Sequence, residues 1–506
     1  MVRAVSAASI GLLFLLMLSS CETFISNRSV ERSDQDFQQE LNQQIPLWMA
    51  QYEVPGAAIV LINNGKLTWS DAYGFAKLKE RIPMTPQTIC RVESISKSVT
   101  ARGVMKLAGS GKIDLDDPVA EYLNVWQFPE TDFDARQITI RQLLSHSSGL
   151  ALGTLGLEYD PGADKPSLTE NLSAEVMLIQ EPGNGFHYSN VGYHLLELLI
   201  EEVTGTPFSE YMQNEVLLPL GMTNAGFEWQ ENFITPVPDG HELSGQPVPV
   251  YVYAEKAAGG LFATAEDIAA FIQAGMLGDF YSIDNSLSED AISDLYSPAI
   301  ETSGVYSLVS DSYGLGHFIE TLPTGEKAVF GGGQGHGWMT HFHMVPKNGD
   351  GIVILTNSSR SWPFISKILS EWTDLNSYGP AGMERILSVT NVLWGVIALI
   401  LAGCLWVWGR VLFDIRNRTR KFSLSFRNAG WTTIVNLIMI VLLFSLLIWI
   451  HTREYLFLTS VFPRAGGWLI HSLWVVVITT IILLVFQKND YADTESSVTQ
   501  TNTEVF

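Results

Sequence analysis

The chain has 506 residues and a mass of 56.0 kDa, more than one ordinary domain needs and room for only two or three of ~150 residues. Charged residues make up 16% and hydrophobic ones 47%, with a mean hydropathy of +0.16, which excludes a disordered chain and demands an apolar component outside a soluble core. The net charge of -23 argues against a nucleic-acid partner, because phosphate binding needs basic surface, and Cys21, Cys90 and Cys404 make neither a disulfide framework nor a zinc module.

Residues 1–20 carry one positive charge, Arg3, then an apolar run through Leu12 and Leu18, then Ser19-Ser20-Cys21. That layout predicts a signal peptide. Its Leu-Ser-Ser-Cys ending resembles a bacterial lipobox, in which Cys21 is acylated and becomes the mature N-terminus. Residues 37–375 read as one globular unit without internal repeats. A helix over 37–51 is expected to be disturbed by Pro46, and the runs 57–62 and 66–70 flank Asn63-Asn64-Gly65, a hairpin signal. Helical patterns cover 94–109 and 191–204, the second ended by Gly205, and strands over 338–345 and 351–355 surround Pro346-Lys347-Asn348-Gly349. Strands near both ends with helices between predict an α+β domain whose sheet is completed by both ends.

Three stretches without a charge follow, 386–409, 428–452 and 465–487, each longer than the ~20 residues that cross a bilayer core. Trp406, Trp408, Trp431, Trp449, Tyr455 and Trp468 lie at or near their ends, where an interfacial aromatic belt belongs. The intervening loop 410–427 holds Arg410, Arg416, Arg418, Arg420, Lys421 and Arg427 against Asp414 alone, so it is expected in the cytoplasm and everything before Ile386 outside. The polar tail 488–506 is expected inside and disordered. Residues 1–20 carry +1 and 387–506 carry +3, so a total of -23 leaves -27 on residues 21–386.

Ser94-Ile95-Ser96-Lys97 is the one Ser-x-x-Lys in the chain. At a helix start, positions three apart share a face, so the Lys97 amine can reach the Ser94 hydroxyl. A serine needs a neighbour to take its proton, and a lysine whose ammonium form is disfavoured by burial can do so. By itself the motif is equally an ordinary helix start with a solvated lysine.

Several stretches together resemble the serine β-lactamase and penicillin-binding protein family, in its class C and esterase-like branch. They are Arg91-Val92-Glu93-Ser94-Ile95-Ser96-Lys97-Ser98; Leu143-Leu144-Ser145-His146-Ser147-Ser148-Gly149-Leu150; Tyr188-Ser189-Asn190 after Glu181-Pro182-Gly183; Pro219-Leu220-Gly221-Met222; and Ala258-Gly259-Gly260-Leu261 with Thr264 and Asp267. A rival Tyr122-Leu123-Asn124 lacks the flanks and is read as chance. The resemblance implies a β-lactamase-like domain, an antiparallel sheet flanked by helices plus a helical subdomain, ahead of three transmembrane helices. It implies Ser94 as nucleophile, Lys97 and Tyr188 as the proton-handling pair, Asn190 orienting Lys97 and the substrate amide, and no cofactor or metal. The family's third motif, Lys or His, any residue, then Gly, falls on Gly331-Gly332-Gly333. Gly333 and the Gln334 N–H can still complete an oxyanion hole, whereas the contact to a substrate carboxylate is missing at Gly331 unless His336 replaces it. Poor use of carboxylate substrates is therefore expected, improved by Gly331→His. His146 is read as structural, and His341 and His343, on one strand face, as packing residues.

The sequence thus reads as a serine hydrolase on the outer face of a bacterial cytoplasmic membrane, held by Cys21 lipid and three spans. Its substrate would be an ester or amide, such as a D-amino acid peptide, a β-lactam or a small ester, cleaved through an acyl-enzyme. The alternative is a non-catalytic or weakly catalytic receptor for penicillin or cell-wall fragments. Expected partners are a small-molecule or peptide substrate and the membrane, with no nucleic acid. A third reading uses the helices to dock another membrane protein.

Overall fold

Asn64 and Gly65 both take positive φ, 51° and 72°, the two left-handed residues that a tight hairpin turn needs. They join strands β1 (Gly56–Asn63) and β2 (Lys66–Lys77). The computed structural model describes residues 34–154, 157–231, 233–282, 286–423, 431–451, 459 and 461–488. The expected signal peptide, Cys21 with its expected lipidation, the end of the basic loop, Tyr455 and the tail beyond 488 lie outside the described residues. Two compact units divide at residue 43, inside helix α1 (Asp34–Tyr52). That helix runs through Pro46 rather than being broken there. Ile45, Trp48 and Met49 are buried around the proline, and their burial outweighs the ~3 kcal/mol a helical proline costs. The second unit, residues 44–506, holds the sheet, the remaining described helices and the residues expected to take part in catalysis and substrate binding.

Seven further strands complete one large sheet: β3 (Ile82–Pro83), β4 (Ile300–Glu301), β5 (Ser312–Tyr313), β6 (Phe318–Thr321), β7 (Lys327–Gly335), β8 (Trp338–Val345) and β9 (Asp350–Thr356). Their order is β3-β2-β1-β9-β8-β7-β6-β5-β4, antiparallel throughout. Ala57 stands opposite Thr356 and Ile62 opposite Gly351, so both ends of the domain meet at the sheet centre. β8 and β9 are buried at every residue, as strands covered on both faces must be. Successive residues of β8 show the two layers: Phe342 meets Phe271 of a helix on one face, and His343 meets Trp372 of another on the opposite face.

The helices carry those layers and the site. After α2 (Ile95–Gly109) the chain builds a helical subdomain with α3 (Ile140–Leu144), α4 (Leu168–Glu175) and α5 (Asn190–Thr204). Gly205 ends α5 at φ 66°, the left-handed cap that glycine makes without strain. Helix α6 (Ala265–Gln273) lies with α2 on one sheet face, and α7 (Trp362–Leu375) covers the other.

Three long apolar helices follow: α8 (Arg385–Arg416), α9 (Trp431–His451) and α10 (Pro463–Val485). α8 continues past the charge-free stretch into the expected basic loop. Val411, Leu412 and Phe413 keep its pattern apolar, and the long side chain of Arg410 can extend its charge toward water. α10 packs against both partners, with Trp408 donating to Thr479 at 2.9 Å and Phe444 edge-on to Trp474. Only 6% of the most apolar window of α9 is buried within the protein, so that surface needs a lipid covering. The C-terminal ends of α8 and α10 are tied by a short ladder, Arg420–Phe422 against Phe486–Lys488.

Candidate active site

The turn that carries Ser94 is held in an unusual backbone state. Glu93 takes φ 52°, a left-handed conformation uncommon for a side-chain-bearing residue, and Ser94 then caps α2. A buried cluster fixes the turn. The Glu93 carboxylate accepts from Arg91 Nε at 2.8 Å and from Tyr253 at 3.0 Å, with the Tyr251 hydroxyl at 3.4 Å, and the Arg91 guanidinium lies 4.1 Å from the Tyr251 ring centroid. Sequence reasoning gave no role to Glu93 or Arg91. Their one local signal is the close Arg-x-Glu spacing of two opposite charges just before Ser94.

Lys97, one turn into α2, is 1% exposed. Its Nζ lies 3.1 Å from Ser94 Oγ and donates to the Ala258 carbonyl at 2.7 Å. Burial pushes its pKa down to about 7, against the opposing pull of Glu93. Ala258 is itself fixed by Glu197, a third residue to which the sequence gave no role. The Glu197 carboxylate accepts from the Lys256 N–H at 2.6 Å and the Ala257 N–H at 2.8 Å, while burial raises its pKa to about 8.

Tyr188 arrives from the turn before α5, with its ring centroid 5.0 Å from Lys97 Nζ. His146 lies beneath it at 4.1 Å between ring centroids. The His146 Nδ1 accepts the Ser189 N–H at 3.2 Å, and burial drives its pKa well below the ordinary range, so the ring is a neutral support for Tyr188. Asn190, the first residue of α5, differs from expectation. Its amide N–H donates to the Thr154 carbonyl at 3.3 Å, where the loop after Leu152 lies across it, while Lys97 donates to Ser94 and to the Ala258 carbonyl. Tyr122 bonds Asp117 at 2.6 Å and does not line the cavity at Ser94.

Strand β7 passes directly beside the nucleophile turn. A Cβ on Gly333 would lie 2.1 Å from the Val92 carbonyl and 2.9 Å from Glu93 Cβ, so only glycine permits this approach. Gln334 follows at the cavity wall, its side-chain oxygen accepting from Trp362 Nε1 at 2.8 Å. Gly331 does not face the cavity. A Cβ there would come 2.6 Å from the Phe342 ring and 3.2 Å from Ser98 Oγ, which corrects the idea that a histidine at 331 would simply restore a carboxylate contact. His336 stands at the rim, half exposed, with Nδ1 3.1 Å from Glu158 Oε2, so its ring is already committed to a carboxylate. His341 and His343 are buried on the α7 side of β8, and burial lowers the His341 pKa to about 3.

A cavity of about 640 Å³ opens at Ser94, and Tyr188, Asn190, Gln334 and His336 line it. Glu158, Glu242 and Glu255 give that end an acidic wall. The arrangement offers a hydroxyl beside a largely desolvated amine, a phenol on the same side, and a glycine-rich strand edge close to the hydroxyl. Those are the parts that acyl transfer to serine requires.

A sequence-family profile described as Beta-lactamase matches residues 36–368. Protein flp of Staphylococcus aureus (strain N315) is 27% identical over 334 residues, 64% of this chain and 64% of that protein, so the shared region spans under two thirds of that relative. The putative penicillin-binding protein PbpX of Bacillus subtilis (strain 168) is 26% identical over 342 residues, 65% of this chain and 78% of its own. Among solved structures, the octameric penicillin-binding protein homologue from Pyrococcus abyssi is similar with a TM-score of 0.57 and 28% identity, covering 68% of this chain and 78% of that one.

Proposed function

The chain belongs to the beta-lactamase family, and on that premise we propose that it is a membrane-anchored serine hydrolase whose Ser94 is transiently acylated by an ester or amide. The observation that carries this reading is Lys97, buried and with a pKa of about 7, placed 3.1 Å from Ser94 Oγ. An unperturbed lysine is almost wholly protonated at neutral pH. This one is roughly half neutral, a gain of about 10³ in the form able to accept a proton.

The reaction then runs in two balanced halves. Ser94 Oγ bonds to the substrate carbonyl carbon as its proton passes to the Lys97–Tyr188 pair. The N–H groups of Ser94 and Gln334 hold the resulting oxyanion, the bond to the leaving alcohol or amine breaks, and that group takes the proton. Water repeats the sequence on the acyl-enzyme and releases a carboxylic acid. Lys97 and Tyr188 act as one coupled unit rather than as a separate acid and base. The acidic wall and the pairing of His336 with Glu158 favour neutral or cationic substrates over those bearing a carboxylate near the site. Placement of this domain outside the cytoplasmic membrane is part of the proposal, supported by the arginines between the first two spans.

The test is covalent labelling with a fluorophosphonate together with hydrolysis of p-nitrophenyl acetate. Both are expected in the full-length protein and neither in Ser94→Ala. Undiminished labelling or hydrolysis by that variant would overturn the mechanism. Labelling without any turnover would leave the receptor reading in its place.

A further inference from the structure

The cavity at Ser94 does not end within the hydrolase domain. Its far wall is made by Val309 and Met383, by Arg385, Ile386 and Val389 of the first turns of α8, and by Val461 and Phe462, which lead into α10. These helix starts lie at one end of the apolar bundle, and the domain grips them. The Met383 carbonyl accepts from Ser366 of α7 at 2.7 Å, Glu384 accepts from Ser370 at 2.9 Å, and Arg464 of α10 pairs with Glu53 at 2.6 Å. One continuous space therefore runs from the serine to the membrane end of two spans.

Its lining changes character along the way. Around Ser94 it is polar, with Asn190, Glu158, Glu242 and Glu255. From Tyr188 onward, stacked rings form one side: Tyr188 on Tyr306 at 5.3 Å, Tyr306 on Phe318 at 5.7 Å, and Phe318 on Phe330 at 5.3 Å. His341, 1% exposed, also lines the space, and neither of its ring nitrogens has a hydrogen-bond partner among the described residues. A buried polar group left so carries a desolvation cost that an oxygen of an occupant would relieve. A volume of about 640 Å³ lies in the ~300–1,000 Å³ range of small-molecule sites.

We infer that the substrate is an amphiphile drawn from the bilayer, whose ester or amide carbonyl reaches Ser94 while its aliphatic part fills the apolar arm between β6, β7 and the starts of α8 and α10. This rests on the acyl-enzyme reading of Ser94. A lipid-embedded substrate accounts for a cavity that is polar and open at Ser94 yet walled at its far end by the apolar starts of two spans. Its polar head faces the acidic wall and so is neutral or cationic.

The experiment uses the full chain in lipid nanodiscs and two ester series. One lengthens the acyl group as p-nitrophenyl esters, and the other lengthens the leaving group as S-alkyl thioacetates followed by thiol release. In at least one series kcat/KM is expected to rise about threefold per methylene between two and eight carbons, the gain from burying each CH2. Val389→Trp and Ile386→Trp, which fill the arm, are expected to lower the octyl-to-ethyl ratio at least tenfold. A flat or falling profile in both series, or a ratio that neither variant changes, would overturn the amphiphile. The two failures remain distinct: Ser94-dependent hydrolysis with no preference for chain length removes only the amphiphile, whereas hydrolysis that survives Ser94→Ala removes the acyl-enzyme beneath it.

Discussion

Lys97 pays for its position by losing water: among the described residues no carboxylate lies within ion-pair distance, and a backbone carbonyl and the Ser94 hydroxyl are its polar neighbours. Only the neutral amine can take the serine proton. The kcat/KM of a neutral ester is therefore expected to rise about tenfold per pH unit below an apparent pKa near 7 and to level above it. A profile flat from pH 5 to 8 would contradict that assignment. Lys97→Ala is expected to cost about 10² or more in kcat/KM, read on the same ester. Behind the nucleophile, Glu93→Ala leaves Arg91 buried without its carboxylate, and a loss of about 3–5 kcal/mol is expected in denaturant unfolding of the solubilised protein. Ser94, Lys97 and Tyr188 were legible because their chemistry is written in letters at short spacing. Glu93 and Glu197 were not, since their partners Tyr251, Tyr253, Lys256 and Ala257 come from segments far away in sequence, and only the fold brings them together.

Strand β7 shows how an element, rather than a side chain, shapes the site. Three glycines in succession lower strand propensity, yet each lies against something that leaves no room for a Cβ: Phe342 at Gly331, Trp362 at Gly332, and the Val92 carbonyl at Gly333. Gly333→Ala is expected to push the strand edge away from the nucleophile turn and lower kcat/KM by about 10², because displacement of ~1 Å at reacting groups has that effect. Unchanged kinetics in that variant would show that the edge does not serve the oxyanion. The hairpin at Asn64-Gly65 and the β8–β9 pair could be read from alternating and apolar runs bounded by turn residues. Ile300–Glu301 and Ser312–Tyr313 could not, since two-residue strands carry no period and gain their place only by pairing at the sheet edge. The orientation of Gly331 was hidden for a related reason: motif spacing locates a residue along a strand and does not show what packs against it.

At the scale of the whole molecule, a beta-lactamase-family domain and a three-helix bundle share contacts that fix one to the other, through Glu53 with Arg464 and through Ser366, Ser370 and Thr373 with the turn before α8. The spans were the most legible part of the chain, because ~20 apolar residues without a charge have few other uses. Their attachment to the active-site cavity was not, as no sequence period reports it. Topology has its own test: a phosphatase reporter that needs export is expected to be active when fused after Gly379 and inactive when fused at 416–427, and the reverse pattern would discard the proposed orientation. The central claim is the acyl-enzyme. Intact-protein mass spectrometry after rapid acid quench of the full-length protein with a p-nitrophenyl ester tests it most directly. The expected result is a mass increase equal to one acyl group, mapped by peptide digestion to Ser94 and absent in Ser94→Ala; hydrolysis proceeding with no adduct on Ser94, or with the adduct on another residue, would contradict it.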